Sequence, residues 1–206
     1  MDKFTTLTAV AAPIAEKNVN TDIIIPIKRL VGTNRGTLGG YAFEPWRYLD
    51  DGAPNPDFVL NQPRYAGAQI IIAGPNFACG SSREGAVWAL QEFGIRALMA
   101  PSFGAIFFNN CFQSGILPVV LEASVIEEFI QEASASSSGP EFTVDLENQR
   151  VTAPSGKAVS FETEPFRRDA LLAGLDDLGL TLKRTGDIDA FQSADRARRP
   201  WIYDFS

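Results

Sequence analysis

The 206-residue chain is 45% apolar and 21% charged, an ordinary soluble globular mixture with enough length for one substantial core. Eighteen Lys and Arg stand against 25 Asp and Glu, and the net charge of −7 argues against broad non-specific binding to nucleic acid or anionic membranes. Histidine is absent and cysteine occurs twice, as Cys79 and Cys111, which is too few for a disulfide framework or for the thiolates of an iron–sulfur cluster.

The N-terminal "KFTTLTAVAAPIA" has a lysine, an apolar stretch and a small-residue ending, the outline of a secretory leader. Asp2 offsets Lys3, threonines interrupt the stretch and Pro13 follows quickly, so it reads better as a strand entering the fold. No apolar run approaches the roughly 20 residues that span a bilayer. With no disulfide framework, a reducing, cytoplasmic setting is expected.

"AQIIIA" (Ala68–Ala73) is short, apolar and rich in β-branched residues, the pattern of a buried strand. "GPNFACG" reads as a loop. From about Ser82, Ala86, Leu90 and Phe93 recur at helical spacing, and Gly94 stops the run. "IRALMA" (Ile95–Ala100) is a second strand, ended by Pro101. "SFGAIFFNNCFQSG" is a helix with Ser102 as cap and Gly115 as terminator. "ILPVVL" (Ile116–Leu121) is a third strand. "SVIEEFIQEAS" (Ser124–Ser134) is an amphipathic helix in which Ser124 and Glu127 suit a capping box.

"ASASSSGP" is a surface loop. Beyond Pro140, "EFTVDL", "QRVTA" and "KAVSFE" alternate between turn residues and predict a small meander. "RRDALLAGLDDLGLTL" reads as a short helix and a strand. Asp187–Ser206 forms a tail whose Trp201, Tyr203 and Phe205 are available to pack on the body or a partner. Without repeats or a long linker, residues 1–206 are expected to form one domain with a tail from about residue 187. Strands alternating with helices make it an α/β layered domain.

The chemistry concentrates in "NFACGSSREGAVWAL" (Asn76–Leu90). A loop leaving a strand and entering a helix presents free N–H groups and positive potential, which suit carboxylates. Gly80 permits a tight turn and a close approach. Ser81 and Ser82 add hydroxyls, and Arg83 adds a planar fork that can grip a carboxylate in two places. The same residues also suit a plain helix cap and a solvated surface charge. No Walker loop is present, and no histidine exists to serve a Ser-His-Asp triad.

The segment resembles the signature of the isopropylmalate isomerase small-subunit family, related to the mobile C-terminal domain of aconitase. "NVNTDIIIP" (Asn18–Pro26), "FEPWRYLDDG" (Phe43–Gly52), "DFVLNQPRY" (Asp57–Tyr65), "APSFGAIFFNNCFQSGILPVVL" (Ala100–Leu121) and "FRRDALLAGLDDLGLTL" (Phe166–Leu182) resemble further family segments, in the family's order, over nearly the whole chain.

The resemblance implies a swivelling β/β/α layered domain with a mixed sheet. It implies a partner large subunit that holds a [4Fe–4S] cluster, with no metal or cofactor in this chain. It implies interconversion of 2-isopropylmalate and 3-isopropylmalate by dehydration and rehydration, in leucine biosynthesis. By position Ser81 corresponds to the base that takes a proton from carbon. Ser82 and Arg83 bind a substrate carboxylate, and Arg35, in "RLVGTNRGTLGGYAF", is the candidate for a second carboxylate or else an exposed loop charge. Asn76, Cys79 and Gly80 support the loop, with Thr21 and Asp22 holding the N-terminal loop beside it. Cys79 is also read as a small space-filler, and Cys111 as core. Asp176–Asp177 reads as a surface turn, and Phe43, Trp46 and Tyr48 as packing.

Four residues, at three places, depart from the pattern. Gly85 stands where the family carries His, Asn20 where Asp is common, and Asp169–Ala170 where His-Cys would follow. Gly85 costs a helix up to about 1 kcal/mol against Ala, so it makes room for a different ligand or a different packing. This leaves two other expectations open: a related hydro-lyase small subunit that takes citraconate, maleate or a substituted malate, and a non-catalytic interaction module of the same fold.

Overall fold

The computed structural model describes residues 1–31, 35–80 and 83–203. In chain order, β1 (Thr6–Ile14) leads into three one-turn helices, α1 (Thr21–Ile24), α2 (Ile27–Leu30) and α3 (Glu44–Arg47). Strands and helices then alternate as β2 (Ile70–Ala73), α4 (Glu84–Phe93), β3 (Ala97–Ala100), α5 (Ala105–Gln113), β4 (Leu117–Val120) and α6 (Ala123–Ala135). β5 (Glu141–Asp145), β6 (Arg150–Thr152) and β7 (Ala158–Ser160) follow. Three helices close the chain: α7 (Pro165–Ala173), α8 (Asp177–Leu182) and α9 (Thr185–Arg198).

The strands form one mixed sheet of seven, in the order β4-β3-β2-β1-β5-β6-β7. β1 to β4 pair in parallel, with Ala11 opposite Ile70 and Ile70 opposite Ala97. β5 to β7 continue antiparallel from the other edge of β1. Parallel neighbours need long crossovers, which α4 and α5 supply; the antiparallel ones need only turns. Pro118 is accommodated because β4 is an edge strand.

The parallel strands are covered on both faces. Ala12, Ile14, Ile71, Ala73 and Leu98 pack with Ala86 and Leu90 of α4 and with Cys111 of α5. Ile70, Ile72, Met99 and Val119 point the other way, to Ile126, Phe129 and Ala133 of α6. That two-sided burial is why these strands read as continuous apolar runs rather than alternating ones. The N-terminal segment is the strand shared by both halves of the sheet.

Gly94 and Gly115 end their helices at φ 108° and 76°, as the sequence predicts. Three local expectations are corrected. Ser102 does not cap α5, whose N-cap is Gly104; its hydroxyl is used elsewhere, at the site. Ser124 and Glu127 form no capping box, because α6 begins one residue earlier, at Ala123, with Glu122 at the N-cap and no side-chain cap bond. "LGLTL" is helical, not a strand: the Asp176 carboxylate accepts from Gly179 N at 2.8 Å and starts α8. Asp176 is thus a helix cap, and Asp177 accepts from Gln113 Nε2 at 2.9 Å. Neither α8 nor α9, the helix that leads into the tail, contains a buried residue. Trp201 is exposed, Tyr203 donates to Asp195 of α9, and Phe205 lies outside the described residues.

Candidate active site

The loops after β1, β2 and β3 converge at the carboxyl ends of the parallel strands, the end at which such sheets bind ligands. The loop after β2 starts with a close approach. A Cβ at Gly74 would lie 2.5 Å from the carbonyl oxygens of both Ala15 and Glu16, so only glycine fits. Asn76, Ala78 and Gly80 then adopt left-handed backbone, at φ 58°, 57° and 93°. For Ala78 that conformation costs roughly 1–2 kcal/mol.

Clamps on both sides hold it. On one side Phe77 N donates to Ser102 O at 3.0 Å and Gly104 N donates to Phe77 O at 2.8 Å. On the other, Cys79 N donates to Val19 O at 3.2 Å and Thr21 N to Cys79 O at 3.1 Å. Asn76 ties to both flanks: its N–H donates to Ser102 Oγ at 2.8 Å and its amide to Asn18 Oδ1 at 2.7 Å. Cys79 is half-buried, with its thiol donating to Asn18 O at 3.4 Å. Thr21, expected beside the site, bonds to that loop through its backbone N–H. Asn18, Ser102 and Gly104 do comparable work and carry no motif signal outside the family segments.

Asn20 accepts from Ile23 N at 3.0 Å as the N-cap of α1. Asp and Asn serve that role equally well, so this departure from the family leaves the local structure intact. α1 in turn presents Asp22 to Arg83. The Asp22 carboxylate pairs with the Arg83 guanidinium, whose side chain is only 15% exposed. Arg83 is therefore no solvated surface charge. Its hydrogen bond and charge, with a backbone bond from Ile27, hold the Asp22 carboxyl below the usual carboxylate range against a smaller desolvation effect. A guanidinium has five N–H donors, so this pair leaves donors for a second carboxylate.

Arg83 lines a cavity of about 300 Å³ with Asn76, Cys79, Gly80, Gly104 and Ile106. That volume is at the small end for ligand pockets and suits a compact acid. A larger cleft of about 760 Å³ opens beside Asp22, between α2 and α3. Its Arg29 is held at 2.9 and 2.7 Å by Glu44, which Lys28 also approaches at 3.4 Å. Asp22, Glu44 and Asp50 line that cleft against Lys28 and Arg29, whereas Arg83 is the one charged residue among the described residues lining the smaller cavity, which makes the smaller cavity the better anion site. Ser81 and Ser82 follow Gly80 directly in the chain and lie outside the described residues.

Arg35 is exposed and rests over the Trp88 ring, 4.6 Å from its centroid, and is not among the described residues lining the Arg83 cavity. The room left by Gly85 is taken by protein: a Cβ there would lie 2.4 Å from Leu30 Cδ2. The absent side chain is thus exchanged for a different packing, α2 against the first turn of α4. Phe43 stacks on Trp46 and packs on Phe58. Cys111 is fully buried, and burial pushes its thiol well above the ordinary value. Among the described residues no group of three His, Cys, Asp or Glu could hold a metal ion. The two cysteines also sit apart in role, one in the core and one on the loop, so this donor set does not fit an iron–sulfur cluster.

Fold and loop together define an aconitase-type domain: the family model of the aconitase C-terminal domain matches residues 1–124. The LeuD_N model matches residues 130–165, and the model of the C-terminal domain of the 3-isopropylmalate dehydratase small subunit matches residues 177–205. The 3-isopropylmalate dehydratase small subunit of Rhodospirillum centenum is 52% identical, over 98% of both chains. That of Magnetococcus marinus is 51% identical over 98% of this chain and 99% of its own, and that of Agrobacterium fabrum 51% identical over 98% and 100%. The crystal structure of 3-isopropylmalate dehydratase from Methanocaldococcus jannaschii superposes with a TM-score of 0.64 at 26% identity, covering 92% of this chain and 99% of that one. The chain belongs to the 3-isopropylmalate dehydratase small-subunit family, and so to the components of a hydro-lyase. No helix among the described residues is long and apolar enough to cross a membrane.

Proposed function

We propose that this chain supplies the metal-free half of an isopropylmalate isomerase active site, in leucine biosynthesis in the cytoplasm. A large-subunit partner supplies the other half and carries the [4Fe–4S] cluster. The observation that carries the reading is Arg83, held by Asp22 at the end of a doubly clamped loop and facing a small cavity. Arg83 grips a substrate carboxylate through its remaining donors, with Ser82 beside it. Ser81 takes the proton from the carbon next to that carboxylate, and the neighbouring hydroxyl leaves, giving a cis-alkene diacid. Return of water in the opposite sense gives the isomer. When bound, the cluster supplies the Lewis acid that eases the hydroxyl's departure.

A serine hydroxyl is a weak base, so its anion needs stabilisation by the Arg83 charge and nearby N–H groups. The test is an anaerobic assay, on 2-isopropylmalate, of the complex reconstituted from both subunits. Ser81→Ala is expected to lose about 10²- to 10⁴-fold in kcat. Retained turnover would leave a non-catalytic module as the better reading. A second reading, specialisation for a smaller diacid, draws on the Leu30–Gly85 packing, which replaces the family's His. Citraconate or maleate turning over faster than 2-isopropylmalate would favour it.

A further inference from the structure

We infer that Glu92 is a positioning residue for substrate recognition, acting through the loop that carries Arg35. Glu92 lies in the last turn of α4, where the helix dipole disfavours a carboxylate. Its partners offset that cost. Glu92 Oε1 accepts from Gly36 N at 2.6 Å, and Oε2 accepts from Leu38 N at 2.6 Å and Gly39 N at 3.1 Å. Three N–H groups of one loop thus converge on one carboxylate, the reverse of an anion-binding loop around a free ligand. Gly39 makes this possible by its closeness: a Cβ there would lie 2.5 Å from the Glu92 carbonyl carbon and 2.7 Å from Phe93 N.

Glu92 is the last of three contacts in register. Gly85, Trp88 and Glu92 are spaced i, i+3, i+7 and share one face of α4. Gly85 receives Leu30, Trp88 receives Arg35, and Glu92 receives Gly36 to Gly39. The helix whose first turn follows Arg83 therefore also sets where Arg35 stands. One rigid element spaces the two arginines, and Glu92 fixes Gly36 to Gly39, the segment that follows Arg35. The inference rests on the proposed isomerase function and on the family expectation that Arg35, outside the Arg83 cavity in this chain, meets the second substrate carboxylate.

Two measurements test it. In the chain itself, Glu92→Ala should abolish amide hydrogen-exchange protection at Gly36, Leu38 and Gly39 and leave β2 and β3 protected; unchanged protection at the three amides overturns the clamp. In the reconstituted complex, Glu92→Ala should raise KM for 2-isopropylmalate about tenfold with kcat within about twofold, and Glu92→Gln, which keeps one acceptor oxygen, about threefold. In an Arg35→Ala background, Glu92→Ala should add nothing. Loss of protection with unchanged KM, or effects that add fully, would overturn the positioning role. A wild-type complex inactive on 2-isopropylmalate would overturn the proposed function instead, and the exchange measurement would still judge the clamp.

Discussion

Replacing Gly104 by Ala asks whether close backbone approach holds the active-site loop. A methyl group at Gly104 would lie 2.4 Å from Ala78 O and 3.1 Å from its carbonyl carbon. A tolerable carbon–oxygen contact is about 3.3 Å, so the two backbones must part by close to 1 Å. The obstacle is backbone on both sides, with no flexible tip to yield. A displacement of that size stretches the 2.8 Å bond from Gly104 N to Phe77 O beyond hydrogen-bond range. Overpacking of this kind costs about 1–3 kcal/mol. At about 2–4 °C per kcal/mol for a domain of this size, Tm should fall by about 2–12 °C. The loop that moves leads through Gly80 to Arg83, and a misplacement near 1 Å costs on the order of 10²-fold in rate. Gly186→Ala is the control, because a Cβ there meets nothing within 4 Å and it lies in exposed α9. Thermal melts of the chain and kcat/KM of the reconstituted complex are the assays. A Gly104→Ala variant melting within 1 °C of wild type, with kcat/KM within about twofold, would refute the reasoning.

Gly85→Ala meets a different obstacle, the flexible end of Leu30. Its packing cost of about 1–3 kcal/mol should be partly offset by the helix preference for Ala. Leu30→Ala should remove the obstacle, so in urea unfolding the double variant should be destabilised by less than the sum of the two single ones; additive effects would separate the two residues. Acid should weaken the α2–α3 junction. Arg29 chiefly, with Lys28, holds the folded-state pKa of Glu44 below its ordinary value, against desolvation. A lowered carboxyl pKa contributes stability that is present above the unfolded value and lost as pH falls through the folded one. The urea midpoint should therefore drop below about pH 4.5, less steeply in Glu44→Gln; identical slopes would show that Glu44 contributes nothing.

The parts of the fold that the sequence makes legible are those decided locally. β2, β3 and β4 announce themselves as apolar runs because helices cover both faces. Gly94 and Gly115 mark helix ends because only their backbone takes the required turn cheaply. The helices α1 to α3 and the loop at Gly36–Gly39 were not legible. Their conformations depend on distant partners, such as Glu92 for Gly36 and Glu44 for Arg29. The segment "LGLTL" was misread because its alternating Leu mimics a strand, while one Asp176 hydrogen bond suffices to start a helix. At the site, that Thr21, Asp22 and Asn76 lie near Arg83 was legible; the partner each bonds was not. The packing of Leu30 into Gly85 was not, because a missing side chain does not name what fills the space.

The site is built mainly from backbone contacts, and that bears on its chemistry. Gly74 and Gly104 let neighbouring chains approach to distances no other residue allows, and the strained Ala78 is held between them. Such contacts fix N–H groups and the base of Arg83 without long side chains that would have to be ordered for each turnover. They do not exclude water. The Asp22 carboxylate in the pair with Arg83 is still 54% exposed, and a serine anion gains little from charges that bulk water screens. Transfer of a proton from carbon requires the same groups in a drier setting. The chain's own surface leaves the Asp22 side of that ion pair half in solvent, so on the proposed mechanism the arrangement would become a catalyst only when a second surface covers it. On this ground the isolated chain is expected to be inactive.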